Sequence, residues 1–260
     1  MKTWLSFLVL PLFLAVAAPL PAAGDAPSKD QPIIVLAGDS TVAPNGGWGD
    51  GFAKLLAPGV KCINLAKGGR SSKSYRDEKF WKQVLDAKPA WVLIQFGHND
   101  QPGKGTERET DPATTYRQNM ARYVDEAKAA GAKPVLVTSL TRRNFDEQGK
   151  IKPDALAGYV EAVKALAAEK QVPLIDLNAR SVEQMNRLGP EKAAVFDRPA
   201  KAAAKTAVPA EPTNPANPDA PAAVDHTHLS AKGEAETAKL VAEEIRGKVP
   251  ELAKYLTVPK

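Results

Sequence analysis

Beyond residue 30 the chain alternates short, continuous apolar runs with longer stretches in which apolar residues recur every three or four positions. The short runs are PIIVLAG (32–38), VKCINLA (60–66), AWVLIQF (90–96), KPVLVTSL (133–140) and QVPLIDL (171–177). Runs of this kind suit strands covered on both faces, as in a parallel sheet. Between them lie helical patterns. In 112–130, Tyr116, Tyr123, Val124 and Ala127 share one face, with Gly131 as a stop. In 154–170, Leu156, Val160, Val163 and Ala167 do the same, and 72–86 and 232–247 also read as helical, the first less regularly. Strand and helix in alternation predict βαβ units with right-handed crossovers, and so a three-layer α/β/α sandwich.

Two stretches stand outside this pattern. The N-terminal MKTWLSFLVLPLFLAVAAPLPAAGDA joins a basic Lys2 to an apolar stretch from Trp4 to Ala18 and a Pro/Ala/Gly zone, the layout of a secretory leader. Pro11 interrupts the apolar stretch, which falls short of the ~20 residues a membrane span needs. Residues 1–24 are therefore expected to be a removable signal peptide, with an uncleaved anchor as the alternative. The expected location is periplasmic or secreted, without lasting membrane association. Residues 25–260 are read as a single domain. The second stretch, about 198–224, is RPAKAAAKTAVPAEPTNPANPDAPAAV. It is rich in Ala and Pro and is expected to be an extended surface insertion, since only one helix and a tail follow it.

Composition narrows the function. Net charge is +5, but the cations are mixed with acids along the chain, and there is no basic block with interleaved aromatics. A nucleic-acid partner is not expected. The single cysteine, Cys62, excludes an intramolecular disulfide and reads as a buried small hydrophobe rather than a nucleophile.

In an open parallel sheet ligands bind at the carboxyl ends of the strands. The first three runs are followed by Gly-Asp-Ser-Thr (38–41), Lys-Gly-Gly-Arg-Ser-Ser (67–72) and Gly-His-Asn-Asp (97–100). Each alone has an ordinary reading: a βα turn with a helix cap, a tight glycine turn, an asparagine held by its own backbone. Together they make Ser40 a candidate nucleophile beneath three donors, its own N–H, the Gly69 N–H and the Asn99 amide. Donors placed for an acyl-transfer oxyanion are worth roughly 3–4 kcal/mol each. The required base and orienting carboxylate are found in DHTHLS (225–230). Asp225 and His228, three apart, can meet within one tight turn. His226 then points elsewhere, toward the pocket, and Ser230 is placed to cap the last helix.

His226 and His228 also have ligand-like spacing, and with His98 they suggest a metal-dependent deacetylase as a rival. A non-catalytic carbohydrate-binding protein is a second rival, but it needs aromatic platforms, and aromatics are only 6% of residues. The absence of Gly-x-Ser-x-Gly argues against nucleophile-elbow hydrolases.

The four blocks GDST, GGRS, GHND and DHTH resemble, in order and spacing, those of the SGNH (GDSL-type) hydrolases. The longer forms LAGDST, GGRSSKSY, FGHND and DHTHLS are most similar to rhamnogalacturonan acetylesterases, from about Ile33 to about Val249. The resemblance implies a flavodoxin-like fold with a five-stranded parallel sheet. It also implies Ser40 as nucleophile, Asp225 and His228 as acid and base, and Ser40, Gly69 and Asn99 as the oxyanion hole. The implied activity is cofactor-free and metal-free removal of O-acetyl groups from a plant cell-wall polysaccharide, with rhamnogalacturonan or pectin expected. Acetylxylan esterase, lysophospholipase and thioesterase activities are the alternatives on the same fold. The loop residues Arg70, Ser71, His98, Asp100, Gln101, Arg142 and Arg143 favour a short acyl group on a hydrophilic carrier. Arg70, His98 and His226 are candidate substrate-binding residues. Arg70 or the Arg142–Arg143 pair is a candidate contact for galacturonate carboxylates, with a solvated loop as the alternative for the pair. Trp48 either flanks the pocket or packs under the first helix. Two departures are visible: Thr41 stands where the generic motif has Leu, as in the acetylesterases, and the Ala/Pro-rich insertion directly precedes DHTH.

Overall fold

The computed structural model describes Met1, residues 32–198 and residues 224–257. The expected leader and almost all of the Ala/Pro-rich insertion lie outside the described residues. The five apolar runs form one parallel sheet: β1 (Ile33–Gly38), β2 (Lys61–Asn64), β3 (Trp91–Gln95), β4 (Lys133–Val137) and β5 (Leu174–Ile175), in the order β2-β1-β3-β4-β5. Their unbroken hydrophobicity has a direct cause. Ile34, Leu36, Leu93, Val135 and Val137 pack into the core on one face, while Val35, Ala37, Val92, Ile94 and Leu136 pack into the core on the other. The fifth strand is shorter than its run, with only Leu174 and Ile175 paired to β4. It lies between Pro173 and Asp176, and the Asp176 carboxylate already caps the next helix by accepting from Ala179 N at 3.2 Å.

On the first face lie α1 (Gly49–Ala53), α6 (Leu177–Ala193), α7 (Ala231–Lys248) and α8 (Pro250–Ala253), contributing Phe52, Leu177, Val241 and Leu252 among others. On the second lie α2 (Ser74–Asp77), α3 (Phe80–Asp86), α4 (Thr115–Ala129) and α5 (Leu156–Lys170). The apolar faces expected for α4 and α5 are the buried ones, and Gly131 ends α4 at φ +81°. The stretch 72–86 is two helices rather than one, because Lys79 adopts φ 64° between them. The sequence pattern did not signal α6: its apolar positions are sparse, and Gly189 at φ 72° breaks it ahead of Pro190. Cys62 is only partly buried, on an edge strand, where burial and then the nearby Asp50 charge push its thiol up to about 12. Among the described residues no helix is long and apolar enough to cross a membrane.

The chain runs outward from β1 to β2 and then back across to β3, so the sheet's direction reverses around β1. A crevice at the carboxyl ends of β1 and β3 is where open α/β sheets hold ligands. A small antiparallel ribbon, β6 (Asp197–Arg198) with β7 (Asp225–Leu229), carries the DHTH stretch.

Candidate active site

Ser40 sits in the turn that leaves β1, between two fully buried residues, Asp39 and Thr41. The turn is wired by side chains. Asp39 Oδ1 accepts from Thr41 N at 2.9 Å and from Thr41 Oγ1 at 2.7 Å. Thr41 Oγ1 accepts in turn from Gln95 Nε2 at 2.6 Å, and Gln95 Oε1 accepts from Trp48 Nε1 at 2.9 Å. The hydroxyl of Thr41, absent from the generic leucine, is thus the link between the serine turn and β3. Trp48 is fully buried and edge-on to Phe52, so it packs within the core and does not flank an open pocket. Gln95 was legible as a signal, the one polar residue inside an apolar strand. Burial alone would raise the Asp39 carboxyl, but the facing His98 and the Thr41 donors outweigh it and hold it below the ordinary carboxylate range.

The next two turns are knotted to each other. Gly69 follows β2 at φ 74°, a left-handed conformation that suits glycine. Asn99 follows β3, and its Nδ2 donates to Arg70 O at 3.3 Å. One amide hydrogen is used there to orient the group, and the amide carries a second. Asp100, expected as a polar loop residue, is fully buried instead. Its carboxyl accepts from Ser72 N at 3.0 Å, Ser72 Oγ at 2.6 Å and Thr110 Oγ1 at 2.9 Å, and burial lifts it to about 7. His98 is 4% exposed, with Nδ1 3.5 Å from Asp39 Oδ2. That is too long for a good hydrogen bond, and both ring nitrogens are buried without a hydrogen-bond partner.

The Asp225–His228 pair forms as expected, with His228 Nδ1 2.7 Å from Asp225 Oδ2. The stretch is a ribbon strand rather than a free turn. The turn is made locally by the Asp225 side chain, whose Oδ1 accepts from Thr227 N at 3.0 Å and His228 N at 2.9 Å. Burial would raise the Asp225 carboxyl, but these donors and the imidazole hold it well below the usual carboxylate range. An ionised carboxylate only accepts, so Nδ1 carries the proton and Nε2 is left as the basic nitrogen. The pair is docked on the serine loop through Gly46. Leu229 N donates to Gly46 O at 2.8 Å, and a Cβ on Gly46 would stand 3.3 Å from His228 Cβ. Glu234 Oε1, in the first turn of α7, accepts from Gly46 N at 2.7 Å and fixes the other side of that glycine. Ser230 caps α7 as expected, accepting from Gly233 N at 3.1 Å.

The remaining candidates, Arg70, Arg142, Arg143 and His226, each meet a carboxylate. Arg70 is engaged by Glu78 at 2.8 Å and by Gly68 O at 2.9 Å. Arg142 pairs with Asp154 at 2.7 Å and donates to Gln101 Oε1 at 3.1 Å. Arg143 is neither solvated nor turned outward: it is 3% exposed, pairs with Asp197 and faces the backbone of the DHTH stretch. His226 points away from His228, as expected, and its Nδ1 lies 2.9 Å from Asp197 Oδ2. The two histidines of His-x-His therefore take separate carboxylates.

A doubly wound five-stranded sheet that brings a serine turn, a glycine turn, an asparagine amide and an Asp–His pair to its carboxyl edge defines an α/β carboxylic ester hydrolase. The chain belongs to the GDSL-like lipase/acylhydrolase family, whose model matches residues 35–235. It is 40% identical to rhamnogalacturonan acetylesterase RhgT of Bacillus subtilis over 225 residues, covering 82% of this chain and 88% of that protein. It is 36% identical to the probable rhamnogalacturonan acetylesterase YesY of the same organism, covering 82% and 92%. Among solved structures, it is similar in fold to acetylxylan esterase Axe2 from Geobacillus stearothermophilus, with a TM-score of 0.57 at 20% identity, covering 82% and 94%.

Proposed function

We propose that this protein is a serine acetylesterase that removes O-acetyl groups from rhamnogalacturonan, exported by its N-terminal leader to act on plant cell-wall polysaccharide. The observation that carries this reading is the Asp225–His228 pair on a strand whose next residue, Leu229, is hydrogen-bonded to the loop of Ser40. The substrate class rests on the names of RhgT and YesY. In the proposed cycle His228 Nε2 takes the Ser40 proton as Oγ attacks the acetyl carbonyl. Asp225 holds the tautomer and steadies the imidazolium. The oxyanion is met by Ser40 N–H, Gly69 N–H and the second hydrogen of the Asn99 amide. The C–O bond to the sugar breaks as His228 returns the proton to the departing hydroxyl. Water, deprotonated by the same nitrogen, then cleaves the acyl-serine to acetate.

The test is acetate release from acetylated rhamnogalacturonan-rich pectin and from acetylated xylan, with EDTA present, by the parent, Ser40→Ala and His228→Ala. Pectin-selective release, retained in EDTA and lost by about 10⁴-fold or more in both variants, is expected. Equal release from xylan would overturn the substrate, and full activity in Ser40→Ala would overturn the mechanism.

A further inference from the structure

Arg143 lies six residues beyond β4, yet it organises the strand that carries His228. Its backbone N donates to His226 O at 2.9 Å. Its Nη1 reaches Thr227 O at 3.5 Å, and its Nη2 reaches Asp225 O at 3.4 Å and His228 O at 2.5 Å. Four consecutive carbonyls, from Asp225 to His228, thus turn toward one residue. In an extended strand successive carbonyls point to opposite sides, so this convergence departs from regular strand geometry. The departure coincides with the Asp225 side-chain turn and with the irregular pairing between Asp197 and Arg198.

A buried guanidinium is costly unless its donors are used. Asp197 takes Nε, and His226 sits on the other oxygen of the same carboxylate. The remaining edge of the guanidinium is spent on the backbone of the strand, with the short contact going to His228 itself. The guanidinium holds five N–H donors in a fixed planar fork, whereas an ammonium offers three on a flexible stem.

We propose that Arg143 is the positioning residue of this strand, gathering its carbonyls so that the His228 imidazole is held in register with Ser40. The proposal rests on the serine-esterase reading above. Arg143 touches no reacting atom; it acts through the backbone of His228.

The test compares Arg143→Lys, which keeps a cation beside Asp197 but lacks the fork, with the parent and with Ser40→Ala. The Lys variant is expected to stay folded, with kcat lower by about 10–100-fold and KM within about threefold, as for a catalytic group displaced by ~1 Å. The downfield proton resonance of the His228 Nδ1–H bridge to Asp225 is expected to weaken with it. Arg143→Ala, assayed with and without added guanidinium ion, covers the case in which Lys does not fold, and partial recovery of kcat by guanidinium is expected. Parental kcat in Arg143→Lys beside an inactive Ser40→Ala would overturn the role of Arg143 and leave the esterase reading intact. Loss of activity only in proportion to the unfolded fraction, without guanidinium rescue, would also overturn it. An active Ser40→Ala would instead remove the esterase reading itself.

Discussion

The two halves of the site are built in opposite ways. Ser40 leaves the end of a central strand, and its neighbours Asp39 and Thr41 are wired through Gln95 to Trp48, all four fully buried. His228 sits on a two-stranded ribbon outside the main sheet, partly exposed, and is held by Asp225, by the Gly46 contact and by Arg143. The proposed nucleophile is therefore half-buried on a turn whose flanking residues belong to the core, and the proposed base is seated against that turn. Breaking the first half should cost stability, and breaking the second should cost activity at nearly unchanged stability.

The largest effect is expected at the seated half. In Asp225→Asn the side-chain oxygen can still accept from Thr227 N and His228 N, so the turn survives, but the carboxylate that fixes the tautomer is gone. kcat should fall by about 10³–10⁴-fold, with a thermal midpoint close to the parent's. A fall of less than tenfold would mean that the ribbon alone orients the imidazole. A smaller effect, of the other kind, is expected at the buried half. Thr41→Val removes the hydroxyl between Asp39 and Gln95 and leaves buried polar atoms unpaired, which costs about 1–3 kcal/mol. At about 2–4 °C per kcal/mol for a chain of this size, the drop is measurable by calorimetry. An unchanged midpoint with a collapsed kcat would invert the comparison.

The smallest effect is a trend with pH at Asp100, which ties the Gly69 turn to the Asn99 turn. Its folded-state carboxyl sits at about 7, against an ordinary value of 3.8. Between those values the folded protein holds a proton that the unfolded chain releases. The contribution to stability is therefore present below about pH 4 and is lost as pH rises toward 7. The stability of the parent relative to Asp100→Asn, followed by thermal melts, should thus fall between about pH 4 and about pH 7. A pH-independent difference would show that Asp100 is ionised throughout.

What the sequence reveals divides along the same line. The five strands were legible because burial on both faces leaves a continuous apolar run, and the serine, glycine and asparagine turns were legible because they follow those runs. Asp225 and His228 were legible through spacing alone. Arg143 was not, because the groups it serves are backbone carbonyls, which have no residue identity to read. In sequence it is one more cation in TRRNFDEQGK, indistinguishable from a solvated one. The helix α6 was missed for a related reason, since its core-facing positions are few and Gly189 splits them. Asp100 shows the limit of judging exposure from residue type, as it is fully buried.

The central claim is that a buried turn presents Ser40 to a base seated from outside the sheet. The most direct measurement is covalent labelling with a small fluorophosphonate ester, followed by peptide mapping and by the labelling rate in the parent and in His228→Ala. A single adduct on Ser40, formed at least a thousand-fold more slowly in His228→Ala (roughly the contribution of a triad base), is the expected result. Labelling at another residue, or at an equal rate without His228, would contradict it.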